Sequence, residues 1–199
     1  MTEVLDAIMR AGLKSPKIVT LMVTNGCNLS CLHCWPDSRS LDTVPPVPKD
    51  TIRRLIKEFT LLGAEEICLT GGEPLTHPDW FEILSFTCSQ SGLDRVRLQT
   101  NATLLTEVHI EALGSIDFKG LTIQVSLEGA TAETNDRVRG AGSFEQVFRG
   151  LKLLTEAGLG QQVVVAFTET QQNFADIPRL LQLLDGLGIG RIMSGTLVL

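Results

Sequence analysis

The amino-acid sequence predicts an α/β protein in which six short parallel strands alternate with helices. Three observations carry that prediction. Runs of aliphatic and β-branched residues recur six times along the 199 residues. Helical apolar spacing follows the runs, which is the signature of βαβ units. Small, polar or chemically active residues gather just after the strands: cysteines after the first, GGEP after the second, TNA after the third and SLEG after the fourth. Six such units form either an open doubly wound sheet or a partial barrel, and periodicity alone does not choose. Both arrangements bind ligands at the C-terminal ends of the strands, where these loops fall.

The elements follow in order. KIVTLMV at 17–23 is the first strand, and the cysteine loop follows at once. A short proline-rich link, VPPVP at 44–48, leads to a helix over 48–63. In it Ile52, Leu55, Ile56, Phe59 and Leu62 form one apolar stripe and Gly63 supplies the stop. EICLT at 66–70 is the second strand, with a helix over 79–90. RVRLQT at 95–100 is the third, with a short helix near 106–114. LTIQVSL at 121–127 is the fourth. Ser143 begins the next helix, where Ser143 and Gln146 have capping-box spacing and Val147, Phe148, Leu151 and Leu154 supply the apolar face. QVVVAFT at 162–168, a helix over 175–187 and RIMSGTLVL at 191–199 complete the series.

Hydrophobic residues make up 43% of the chain, enough for one domain with a real core. The formal net charge is −6 and no run of Lys or Arg forms a basic stripe, which argues against a nucleic-acid surface. No apolar stretch approaches the roughly 20 residues needed to span a bilayer. Residues 1–16 read as an N-terminal amphipathic helix ahead of a core domain over 17–199, and the expected location is the cytoplasm.

Cys27, Cys31 and Cys34 lie within eight positions, spaced C-x3-C-x2-C, and in a reducing compartment such a cluster reads as a metal site. A structural zinc site takes four ligands. His33 could complete one, but it directly precedes Cys34, and no second cysteine pair of zinc-ribbon type exists in the chain. An iron–sulfur cube has four irons, usually each held by a thiolate, so three thiolates leave one iron open to a substrate or cofactor. Cys68 and Cys88 lie in a strand and a helical pattern and read as small buried hydrophobes.

C-x3-C-x2-C after the first strand and GGEP after the second resemble the radical S-adenosylmethionine (SAM) superfamily. SLEGATAETNDRVRGAGSFEQVFRGL resembles the branch with SPASM-type peptide maturases, anaerobic sulfatase-maturing enzymes and haem-biosynthesis relatives. The resemblance implies a laterally open, partial (β/α)6 barrel of the TIM type. It implies that Cys27, Cys31 and Cys34 hold one [4Fe-4S] cluster, and that SAM chelates the fourth iron and is cleaved to a 5′-deoxyadenosyl radical that abstracts hydrogen from a substrate.

For the SAM site it implies Gly71, Gly72 and Glu73 near the amino group, Ser126 as a polar contact, and Arg139 on the carboxylate, with Arg137 as the competing choice. His33 would lie near the adenine and act neither as ligand nor as acid–base group. Asn101 would face the ribose or substrate, or form an Asx-turn. The expected partners are a peptide or small-molecule substrate and an electron donor such as ferredoxin or flavodoxin. A partner or a missing C-terminal segment is expected to close the barrel.

Two departures stand out: Glu128 where relatives commonly carry aspartate, and Ala102 where glycine is common. No cysteine follows Cys88, so no auxiliary cluster is expected within this chain. The rival reading is a non-catalytic iron–sulfur or zinc module, or a partner subunit.

Overall fold

The computed structural model describes residues 3–12, 14–34, 38 and 45–196. Trp35, Val44 and residues 197–199, the end of the expected sixth strand, lie outside them. The described residues form seven α-helices and six strands, in the order α1 (Glu3–Arg10), β1 (Ile18–Thr24), α2 (Lys49–Leu61), β2 (Glu66–Gly71), α3 (Trp80–Cys88), β3 (Arg95–Thr100), α4 (Glu107–Gly114), β4 (Leu121–Ser126), α5 (Ala132–Arg139), α6 (Ser143–Glu156), β5 (Val163–Glu169), α7 (Ile177–Gly186) and β6 (Ile192–Thr196). The six strands form one sheet in the order β1-β2-β3-β4-β5-β6, every pair parallel. β1 and β6 do not pair, yet Thr20 of β1 and Met193 of β6 line the same cavity. The sheet is therefore curled around a lumen and open at one side, the partial barrel rather than the flat doubly wound sheet.

Alternation along each strand explains where the core lies. Val19 and Val23, Ile67 and Leu69, Val96 and Leu98, Ile123 and Val125, and Val163 and Val165 are all buried beneath the helices. Ile52 and Ile56 of α2, Ile83 and Leu84 of α3, Leu151 and Leu154 of α6 and Leu180 and Leu184 of α7 meet them there. The opposite face carries Thr20, Thr70, Gln99, Gln124, Ser126 and Thr168, and it faces the lumen. The usual closed (β/α)8 barrel fills its interior with branched apolar side chains. Here the branched aliphatic core lies in the outer layer, and the lumen is hollow, lined by amides and hydroxyls together with Met22, Ala166 and Met193.

α5 is absent from the sequence-based reading because it has almost no apolar stripe. Only Asn135 and Val138 are buried in it. Its start is marked by Thr131, whose Oγ1 accepts from the Thr134 backbone N–H at 3.3 Å. The expected capping box at Ser143 is not formed. Ser143 is already the first residue of α6, behind Gly142 in the left-handed conformation. The cap comes from Asp136 of α5: Oδ1 accepts from the Phe144 N–H at 2.7 Å and the Ser143 hydroxyl at 2.9 Å, and Oδ2 from the Gly142 N–H at 2.7 Å. A carboxylate at a helix N-terminus satisfies orphan donors and the helix dipole together.

Burial works against the charge on Asp136, but these donors outweigh it and hold the carboxyl below its ordinary value of 3.8. The charged form is therefore favoured by folding, so its contribution is full above that ordinary value and fades as pH falls through the lower folded one. Asp136→Asn, which loses the charge and one acceptor oxygen, is expected to cost about 0.5–1.5 kcal/mol at neutral pH in urea unfolding. The difference from the parent should shrink in acid; a constant difference across pH would contradict this assignment.

Candidate functional site

The loop carrying the three cysteines leaves the C-terminal end of β1 and is clipped to the loop after β2. Gly72 N–H donates to Thr24 C=O and Glu73 N–H to Gly26 C=O, both at 2.8 Å. A Cβ on Gly71 would sit 2.2 Å from the Thr24 carbonyl oxygen, and one on Gly72 would sit 2.1 Å from that of Gly26. The paired glycines are thus required by contact between two backbones. Both also line the cavity above the sheet.

Glu73, expected near the amino group of a ligand, is not among the residues that line that cavity. It is fully buried. It accepts from the Thr100 hydroxyl and the Asn101 N–H, each at 2.6 Å, and from the Leu75 N–H at 3.1 Å. Burial pushes its carboxyl above the ordinary range, opposed by these three donors. Its work is to tie the loops after β2 and β3 together.

Asn101 completes the same network. Its Oδ1 accepts from the Thr103 N–H at 3.0 Å, an Asx-turn, while its Nδ2 donates to Asn28 Oδ1 at 3.0 Å and lies 3.9 Å from Cys27 Sγ. Asn28 donates onward to the Thr103 hydroxyl at 2.8 Å. The loop after β3 therefore supports the cysteine loop from behind. Ala102 pays for this bend with φ +59°, the left-handed region where a side chain is strained.

On the other side stands Glu128, just beyond β4 and 1% exposed. Its Oε1 accepts from Arg139 Nη2 at 2.6 Å and Nε at 3.2 Å, and lies 3.2 Å from His33 Nε2. Its Oε2 accepts from the Thr168 N–H at 2.7 Å. Burial opposes the charge, but His33, Arg139 and the Thr168 amide outweigh it and lower the carboxyl below its usual value. The longer carboxylate at this position spans the cysteine loop, α5 and β5. Sequence reasoning singled it out only as a departure; an acid at the mouth of an apolar strand was the available signal.

Arg139 lines the cavity, with Nη1 4.0 Å from Cys31 Sγ. Glu128 occupies its Nε–Nη2 edge, so the edge left for a ligand is Nη1–Nη2. Arg137 is turned outward to Glu133 at 3.6 Å, is 55% exposed and is not among the residues lining the cavity. His33 and Ser126 line the cavity too. His77, by contrast, is structural: Nε2 bonds the Val47 carbonyl at 2.9 Å and Nδ1 accepts from the Asp79 N–H at 3.0 Å. His109 stacks on Trp80 with centroids 5.2 Å apart. Burial pushes the Cys68 and Cys88 thiols up to about 11 and about 12, as expected of inert small hydrophobes.

Cys27, Cys31 and Cys34 all line this one cavity, of about 660 Å³. Burial raises the Cys27 and Cys31 thiols, and Arg139 pulls Cys31 back toward the thiolate. Among the described residues no three His, Cys, Asp or Glu side chains converge on a single ion. Three soft donors spread around a cavity fit a cluster with separated corners better than a lone zinc. The radical SAM superfamily family model matches residues 21–184.

The chain belongs to the radical SAM superfamily. Members use a [4Fe-4S] cluster and SAM, and the donor set here fits both. Among curated relatives, an AdoMet-dependent heme synthase of Methanosarcina barkeri (strain Fusaro / DSM 804) is 36% identical over 181 residues, 90% of this chain and 50% of that protein. The mycofactocin maturase MftC of Mycobacterium tuberculosis is 32% identical over 178 residues, 89% of this chain and 44% of that protein. The chain thus spans about half the length of the curated relatives it matches. Streptococcus suis SuiB bound to S-adenosylmethionine shares the fold, with a TM-score of 0.80 and 19% identity over 98% of this chain and 44% of SuiB.

Glu73→Gln keeps one acceptor oxygen and sets an NH2 donor against the Asn101 N–H or against the Leu75 N–H and Thr100 hydroxyl. It is expected to cost about 1–3 kcal/mol in urea unfolding, and an unchanged midpoint would contradict the role given to the carboxylate.

Proposed function

We propose that this chain is the catalytic core of a radical SAM enzyme acting on a peptide or a biosynthetic intermediate. Cys27, Cys31 and Cys34 would hold a [4Fe-4S] cluster, and Gly71, Gly72, His33, Ser126 and Arg139 would hold SAM beside it. When bound, the two groups supply a 5′-deoxyadenosyl radical that takes hydrogen from the substrate. The observation that carries this reading is the convergence of three thiols and the Glu128–Arg139 pair on one cavity at the strands' C-terminal ends.

The chain's own residues would bind, orient and shield. Arg139, already fixed by Glu128, would offer its outer N–H groups to the SAM carboxylate without first being ordered. Glu73 would act at one remove, by holding the glycine turn and the Asn101 loop in place. The neutral amides and hydroxyls of the lumen would contact a substrate with no charge opposed to the reaction. SuiB bound to the precursor peptide SuiA shares the fold over 96% of this chain, which supports a peptide as one substrate class. One electron per turnover would come from a small carrier of the ferredoxin or flavodoxin class.

The test is anaerobic reconstitution with iron and sulfide, reduction, and addition of SAM. Formation of 5′-deoxyadenosine is expected. Cys31→Ala should lose both the iron chromophore and the cleavage. Arg139→Gln should keep the chromophore and raise the KM for SAM roughly tenfold or more, the loss expected of a charged hydrogen bond. A colourless, zinc-loaded protein that leaves SAM intact would favour a structural module instead.

A further inference from the structure

A second cavity, of about 360 Å³, opens at the opposite, N-terminal end of the lumen. Its wall carries three guanidinium groups, Arg95, Arg97 and Arg191, and one acid, Glu66. Glu66 is 2% exposed and lies between two of them: Arg95 Nε donates to it at 2.9 Å, and Arg97 Nη2 donates to its other oxygen. Arg97 Nη1 donates to Gln124 Oε1 at 3.2 Å and Arg191 Nη1 to the Gln161 carbonyl at 3.3 Å. Arg95 Nη1 and Nη2 and Arg191 Nη2 carry no hydrogen bond among the described residues. Three cations against one anion leave this wall with a positive surplus that its own carboxylate does not neutralise.

The two cavities are neighbours. Gln124 and Met193 line both. Above them, Thr20, Thr70 and Gln99 are uncharged, and the one arginine lining the upper cavity among the described residues, Arg139, stands at the cysteine end with its Nε–Nη2 edge on Glu128. Below Arg139, a molecule reaching down the lumen meets uncharged side chains until the guanidiniums of the floor. By strand rise, Arg97 lies roughly 10 Å below Thr100 at the upper end of β3.

We propose that the floor of the lumen is an oxyanion site, taking the carboxylate or phosphate of an elongated ligand whose neutral body lies along the lumen. The assignment of that ligand as the substrate rests on the catalytic reading above; the anion site itself needs neither cluster nor SAM. Guanidinium is suited to the task because its planar fork matches an oxyanion and stays charged at any working pH. Gln124, held by Arg97, separates the two chambers, so a ligand occupying both must displace or contact that amide.

The test uses the full chain without cluster, with the arginine side-chain N–H signals followed by NMR. Propionate and inorganic phosphate are titrated in parallel, with propionamide and with sodium chloride at matched ionic strength as controls. Saturable shifts of the Arg95, Arg97 and Arg191 signals with propionate, phosphate or both are expected, and which of them saturates first identifies the oxyanion. Propionamide and chloride should produce no saturable shift. Arg95→Gln and Arg191→Gln lie near the surface and leave the Arg97–Glu66 pair in place; each should weaken binding roughly tenfold. Cys31→Ala should bind the anion like the parent, which keeps this result separate from any failure of SAM cleavage. Shifts that do not saturate, that chloride reproduces, or that persist in both arginine variants would overturn the proposal and leave the arginines as a hydrated ion-pair network around Glu66.

Discussion

The site depends on one close approach, between the backbone after β1 and the backbone after β2. Two hydrogen bonds, Gly72 to Thr24 and Glu73 to Gly26, carry the strand pairing past the end of the sheet and into the cysteine loop. That distance admits no Cβ at either glycine. Glu73 then turns its carboxylate inward and gathers Thr100 and Asn101, so the third loop is fastened to the second. Asn101 and Asn28 close the circuit on the cysteine loop itself. A short loop with three thiols is thereby held by its neighbours, without an apolar core of its own.

The hollow lumen follows from the same division of labour. Strand alternation sends the branched aliphatic residues outward to the helices, leaving the inner face free for amides and hydroxyls. A barrel that packs its interior cannot host a ligand there, whereas this one has space from the cysteines down to the arginines at its floor. Stability and ligand access are separated onto the two faces of one sheet.

Much of this was readable in the sequence, and the failures have physical causes. RVRLQT and LTIQVS display the inside–outside alternation directly, and the first five strands lie within a residue or so of where periodicity puts them. α5 escaped because its residues are held by capping and by Asn135, not by an apolar stripe. Without that helix, the choice between Arg137 and Arg139 stayed open. Residues two apart on a helix point about 200° apart, so recognising α5 would have set the two on opposite faces: Glu133 and Arg137 share the outer face while Asn135 and Arg139 share the inner one. Ser143 was misread as a cap because Asp136, seven positions earlier, reaches the same N–H groups. Glu73 and Glu128 were recognised as residues of interest, but which way a carboxylate turns depends on donors far along the chain.

The central claim is that three thiols on this loop hold a cluster with one place left open for SAM. It is tested most directly by electron paramagnetic resonance of the reduced, anaerobically reconstituted protein before and after SAM is added. The account predicts about four irons and four sulfides per chain and a signal that changes when SAM binds. A signal of the same stoichiometry that SAM leaves untouched would mean that no iron is open, and would contradict it.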